Sequence, residues 1–256
     1  MLKLFSILVS ISALAISQQT GLVQTPDVDL AYESYGQPGA AIPVIVANGG
    51  PGLSHVYMIQ NDVWTRLSKT RQIVFYDQRG TGKSTRLTSG ASQEIDAQVA
   101  DLEAVRAKFA FPKFDLVGDS YGGFLAIAYA SEHPEHVDKL ILSDAAPPAM
   151  KNIVRVLPQV FPDMMERSPD PQEQMRNHFR MLFYSEEKRD AYLAGAKDLG
   201  YNPQVSAAVS RAISKIDLTE HLAKFAFPTM VITGRYDMNV APLTAWNIYK
   251  IGRAHV

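Results

Sequence analysis

The chain has 256 residues, 46% of them hydrophobic, enough to bury a sizeable core as one globular domain or as one domain carrying an insertion. Its formal net charge of -1, with no basic stripe, leaves no electrostatic footprint for nucleic acid or an acidic membrane surface. It has no cysteine, which excludes disulfides and thiolate metal sites.

A short basic start, Met1-Leu2-Lys3, precedes an apolar run from Leu4 to Ala15 that closes on small residues. This is the layout of a secretory leader over residues 1–17, cleaved after Ala15 or Ser17. The protein therefore reads as exported, periplasmic or secreted, with no stable membrane association after cleavage. An uncleaved N-terminal anchor is the alternative, since no charge stands between Leu4 and Pro26.

Val28, Leu30 and Tyr32 alternate with Asp29, Ala31 and Glu33, the period of a half-buried strand running to about Tyr35. Gly21 to Gln24 is a short antiparallel partner across the turn at Thr25-Pro26-Asp27. Ile42 to Ala47 is a continuous apolar run suited to a buried strand, and it ends in Asn48-Gly49-Gly50-Pro51-Gly52. A short helix is expected over Asp62 to Lys69, and a β-branched and aromatic strand over Gln72 to Tyr76. That strand ends in Asp77-Gln78-Arg79-Gly80-Thr81-Gly82-Lys83-Ser84. From Ser92 a helix is expected, with Ile95, Val99, Leu102 and Val105 on one face.

Phe114 to Val117 is a strand that passes through Gly118-Asp119-Ser120-Tyr121-Gly122 into an apolar helix ending before Pro134. Strand, tight turn and helix are the context that a G-x-S-x-G nucleophile elbow requires. Bulk at Gly118 or Gly122 would collide with neighbouring backbone, and Ser120 is the candidate nucleophile. The Asp119 side chain is expected to point away from the catalytic pocket. Val137 to Leu142 is the next strand, ending in Ser143-Asp144. From about Met150 to Phe225 no comparable strand appears, and the stretch reads as a helical insertion. The sheet resumes at Thr229 to Thr233, ending in Gly234-Arg235-Tyr236-Asp237, before a helix over Ala241 to Lys250. This alternation predicts an α/β fold with a mostly parallel sheet, and its glycine motifs lie where such sheets bind ligands.

A serine hydroxyl needs a base, and a histidine base needs a carboxylate to hold its tautomer. Asp237 at the end of a late strand fits that role, with Asp144 as the competitor. The N–H groups of Gly50 and Tyr121 are placed to form an oxyanion hole. Gly80 to Ser84 imitates a phosphate loop, but Asp77 stands where that pattern needs glycine, so Asp77 and Arg79 read as structural residues bonding to nearby backbone.

Together, Asn-Gly-Gly-Pro-Gly, Asp-Gln-Arg-Gly-Thr-Gly-Lys-Ser and Gly-Asp-Ser-Tyr-Gly-Gly resemble the proline iminopeptidase group of α/β-hydrolases. The resemblance runs from about Leu30 to Lys250. It implies an α/β-hydrolase core over residues 18–148 and 226–250, with a helical cap over 149–225 whose acids hold the substrate's free amine. It implies Ser120 as nucleophile, Asp237 as triad acid, Gly50 and Tyr121 as oxyanion donors, a small peptide or ester substrate, and neither metal nor other cofactor. Asn48 stands where the group usually has histidine. Glu166, Glu173, Glu186 and Glu187 of the cap fall in no matching motif. Esterases and lactonases share this machinery, and a non-catalytic binding protein would use the same cleft.

The triad histidine should follow Asp237, where the only histidine is His255. Ile251 to Val256 resembles the translation of a sequencing adaptor, so residues 251–256 are expected to be a processing scar. The chain as given is then expected to lack its base and its last strand and to be inactive. His55, His133, His136, His178 and His221 read as surface or packing histidines.

Overall fold

A computed structural model describes residues 18–39, 41–84, 90–156, 168–180 and 182–252. The expected leader, Glu166, and His255 with most of the expected scar lie outside the described residues. Seven strands form one sheet: β1 (Gln18–Gln24), β2 (Asp29–Tyr35), β3 (Val44–Ala47), β4 (Ile73–Tyr76), β5 (Phe114–Asp119), β6 (Val137–Ser143) and β7 (Thr229–Ile232). Their spatial order is β1-β2-β4-β3-β5-β6-β7. The β1/β2 and β2/β4 pairs are antiparallel, and every other pair is parallel.

The expected mostly parallel α/β architecture is present. Every residue of β3 and β4 is buried, as their unbroken apolar sequences require of strands covered on both faces. The edge strand β1 is mostly exposed, and it extends three residues before the expected partner strand because Gln18, Gln19 and Thr20 continue the ladder with β2.

Helices α1 (Val63–Leu67), α2 (Ile95–Lys108) and α3 (Tyr121–Glu132) follow the early parallel strands and the elbow. In α2 the expected face of Ile95, Val99, Leu102 and Val105 is buried. Helix α3 is buried on every side from Tyr121 to Ala130, which matches a sequence apolar all round.

Between β6 and β7 lie α4 (Pro171–Arg180), α5 (Glu186–Gly195), α6 (Pro203–Ile213) and α7 (Thr219–Leu222), with no strand among the described residues. The start of α6 shows why: Asn202 accepts the N–H groups of Gln204 and Val205 while Pro203 opens the helix. This segment is fastened to the core through backbone. The Asn202 N–H donates to Gly52 O at 2.7 Å, the Ser54 N–H to Leu199 O at 3.0 Å, and the Gly82 N–H to Gly200 O at 3.2 Å. Helix α8 (Pro242–Gly252) follows β7 and includes Ile251 and Gly252, the first two residues of the expected scar.

Candidate active site

The sharp turn between β5 and α3 holds Ser120 at φ 51° and ψ -119°. Side chains rarely adopt that conformation, and three backbone hydrogen bonds hold it. The Ser120 N–H donates to Ser143 O at 3.1 Å, while its carbonyl accepts from Gly123 at 2.9 Å and Ala146 at 2.8 Å. The glycines are sterically required: a Cβ on Gly118 would lie 2.5 Å from Gly122 O, and one on Gly122 would lie 2.0 Å from Ala47 O. Ser120 borders a cavity of about 600 Å³, whose walls also carry Gly50, Asp119, Asp144, Asp237 and His178.

The loop after β3 closes one side. Asn48 is fully buried, and its amide donates to Gly49 O at 3.1 Å and Leu53 O at 2.9 Å, so this residue folds the loop. Gly50 has φ 126°, a conformation natural to glycine. Among the described residues, neither the Gly50 nor the Tyr121 backbone N–H donates to a protein acceptor. The Gly49 N–H donates to the Tyr57 hydroxyl at 2.6 Å, and that hydroxyl in turn donates to Asp119.

Three carboxylates thus meet at the cavity, and the expectation that Asp119 points away is overturned. Asp119 ends β5, where the elbow turns the chain, and its carboxylate faces Tyr57 across the cavity floor. Burial pushes it up to about 7, reinforced by Asp144 and Asp237 and opposed by the Tyr57 bond. Asp237 accepts the N–H groups of Asn239 and Val240, each at 2.8 Å, and Asp144 accepts that of Gly234 at 2.9 Å. Burial also raises Asp237, to about 6; the Val240 N–H opposes this and Asp144 adds to it.

A model of the alpha/beta hydrolase fold matches residues 42–251. The chain belongs to the α/β-hydrolase family. Its relatives include the proline iminopeptidase of Saccharolobus solfataricus, 26% identical over 94% of this chain and 85% of that one. The proline iminopeptidase of Neisseria gonorrhoeae is also 26% identical, over 90% of this chain and 85% of its own length. Among solved structures, an esterase from a Rhodococcus species superposes with a TM-score of 0.72 at 22% identity, covering 92% of this chain and 86% of that one, which is a likeness of fold.

Away from the cavity, this α/β-hydrolase carries a second charged cluster. His55 is 4% exposed, with Nδ1 2.8 Å from Asp77 and Nε2 3.5 Å from Glu33. Burial alone would lower its pKa, but hydrogen bonds to Asp77 and Glu33 outweigh burial and raise it to about 9. Asp77 also accepts the Ser54 hydroxyl at 2.7 Å and the N–H groups of His55 at 3.0 Å and Lys83 at 2.7 Å. The expected backbone role of Asp77 is present, though its main partner is a histidine. Arg79 also has its expected backbone bond, donating to Ser92 O at 2.8 Å, and in addition forks onto Asp101 with two bonds of 2.7 Å.

No described histidine of the hydrolase hydrogen-bonds to Ser120 or Asp237. His178, read from sequence as a surface or packing residue, lines the cavity. Its signal was present: Met175, His178, Phe179 and Leu182 follow helical spacing, and all four line the cavity. Burial and then Arg155 hold His178 below the ordinary imidazole range. Glu103, His133 and His136 bring three potential metal-ligand atoms within 4.8 Å, but Arg106 and Tyr129 already bond both Glu103 oxygens. None of Glu173, Glu186 and Glu187 borders the cavity.

Proposed function

We propose that the protein is a serine aminopeptidase, releasing N-terminal residues, proline among them, from small peptides. Ser120 attacks the carbonyl of the first residue, and the Gly50 and Tyr121 N–H groups receive the oxyanion. A histidine base, which Asp237 would orient and which no described histidine supplies by a bond to Ser120, would take the Ser120 proton and return it to the leaving amine before water resolves the acyl-enzyme. The observation that carries the reading is the serine held at φ 51° on the cavity wall, facing a loop with an unused N–H. Likeness to proline iminopeptidases over most of the chain supports a peptidase over an esterase or lactonase. Each oxyanion donor is worth about 2.7 to 4 kcal/mol to the transition state.

In a chain whose histidine base reaches Ser120, a fluorophosphonate probe is expected to label Ser120 and not the Ser120→Ala variant, and proline p-nitroanilide is expected to turn over; the 256-residue chain is expected to show only residual catalysis. Ester turnover without anilide turnover would favour the esterase or lactonase reading. No labelling even in a chain that carries the base would transfer the case to a non-catalytic binding protein. The leader reading makes the protein an exported one. N-terminal sequencing of the cell-free fraction should begin at Ile16 or Gln18, and a retained Met1 would refute it.

A further inference from the structure

The cavity is short of positive charge. Its described lining holds Asp119, Asp144 and Asp237, against Arg235 and a His178 that burial and then Arg155 hold below the ordinary imidazole range. Two of the acids are occupied. Asp144 accepts the Gly234 N–H, and Asp237 accepts those of Asn239 and Val240. Asp119 is different. Among the described residues its one hydrogen-bond donor is the Tyr57 hydroxyl, and no cation pairs with it.

Asp119 is also the acid that shares space with the serine. A carbon built on Gly49 would lie 2.7 Å from Ser120 Cβ, 2.9 Å from the Tyr57 hydroxyl and 3.0 Å from Asp119 Oδ2. Ser120 Cβ and Asp119 Oδ2 therefore both lie beside Gly49, and both residues border the cavity. In an N-terminal residue the amine is two bonds from the carbonyl carbon that the serine attacks, so an acyl group on Ser120 brings its ammonium to that neighbourhood.

We propose that Asp119, held by Tyr57, is the specificity residue that binds the substrate's free α-ammonium, in place of the glutamates of the helical insertion. The inference rests on the aminopeptidase reading for the identity of the substrate. A protonated amine supplies the charge the cavity lacks, and a blocked or acyl-only substrate leaves Asp119 buried without it. The groups facing Asp119 are Tyr57 and Tyr192, with Asp144 and Asp237 across the cavity, and none of them supplies a cation.

The test is binding, so it requires no turnover. Calorimetry on the Ser120→Ala chain compares L-prolinamide with cyclopentanecarboxamide, which has the same ring and no amine. Prolinamide should bind at least tenfold more tightly at pH 8. Asp119→Asn, which keeps an oxygen for the Tyr57 hydroxyl, should bring prolinamide down to the neutral amide and leave the neutral amide unchanged. Asp144→Asn should keep most of the preference. In the chain that retains Asp119, the preference should grow between pH 6 and pH 8 as this carboxylate ionises, and that profile decides the matter if Asp119→Asn does not fold.

Equal binding of the two amides, a preference that survives Asp119→Asn, loss on Asp144→Asn instead, or a flat pH profile would each overturn the proposal. If the amine preference holds while a fluorophosphonate leaves Ser120 unlabelled, the ammonium site stands and the hydrolytic reading falls.

Discussion

Replacing His55 by leucine tests the buried charge cluster under the loop that carries Gly50. The imidazole sits 2.8 Å from Asp77 and 3.5 Å from Glu33, and its removal leaves two carboxylates facing a hydrocarbon side chain. Breaking a buried ion pair by deleting one partner costs about 3 to 5 kcal/mol. Here Asp77 keeps the Ser54 hydroxyl and two backbone N–H groups, and Glu33 keeps Gln18 and Tyr35. Those donors place the loss at the lower end, about 3 kcal/mol, or about 6 to 12 °C in Tm for a chain of this size. The pH dependence has a definite sign. With the folded pKa raised to about 9, the contribution of His55 is complete below its ordinary value of about 6.5 and is lost as pH rises through 9. Urea unfolding followed by tryptophan fluorescence should show the wild-type midpoint falling from pH 7 to pH 9.5, and a smaller fall in His55→Leu. A variant within about 0.5 kcal/mol of wild type, or one with the same pH slope, would refute the reasoning.

Ser120→Gly removes a side chain from a backbone at φ 51°, so it should raise stability by about 1 kcal/mol while abolishing probe labelling; thermal unfolding and labelling read the two effects together. Gly122→Ala would put a methyl 2.0 Å from the Ala47 carbonyl, and since the obstacle is backbone the loss should reach about 3 kcal/mol, seen as a lowered Tm or insoluble protein. Arg79→Lys keeps the charge but not the fork onto Asp101, which is 3% exposed, and should cost about 1 to 3 kcal/mol in urea unfolding.

Local patterns revealed what depends on neighbours along the chain. The apolar runs of β3 and β4, the buried face of α2 and the glycines of the elbow are all set by periodicity or by short-range crowding, and they appear where the sequence puts them. Asp119 was misread because its environment is not local. The hydroxyl that engages it belongs to Tyr57, 62 positions away, and nothing in the order of residues marks that meeting. The same holds for His55, whose partners Glu33 and Asp77 come from β2 and from the residue after β4. His178 was legible in principle, because its helical spacing with Met175, Phe179 and Leu182 marks the face that reaches the cavity.

The joint between the helical insertion and the core has a consequence for how such a protein changes over generations. Gly52, Ser54, Leu199, Gly200 and Gly82 contribute main-chain groups to it, so part of the attachment follows the path of the chain. Side chains fasten it too: Phe179 of α4 and Leu193 of α5 pack against Leu53, and the Tyr192 hydroxyl donates to Tyr57 O at 2.9 Å, so mutations at these positions loosen the roof. Meanwhile the turn at Ser120 is pinned from beneath by Ser143, Gly123 and Ala146, none of which belongs to that roof. Changing the cavity wall and holding the insertion in place thus draw on the same residues, so a laboratory wishing to retarget the protein would vary Met175 before Phe179 or Tyr192 and leave the floor alone.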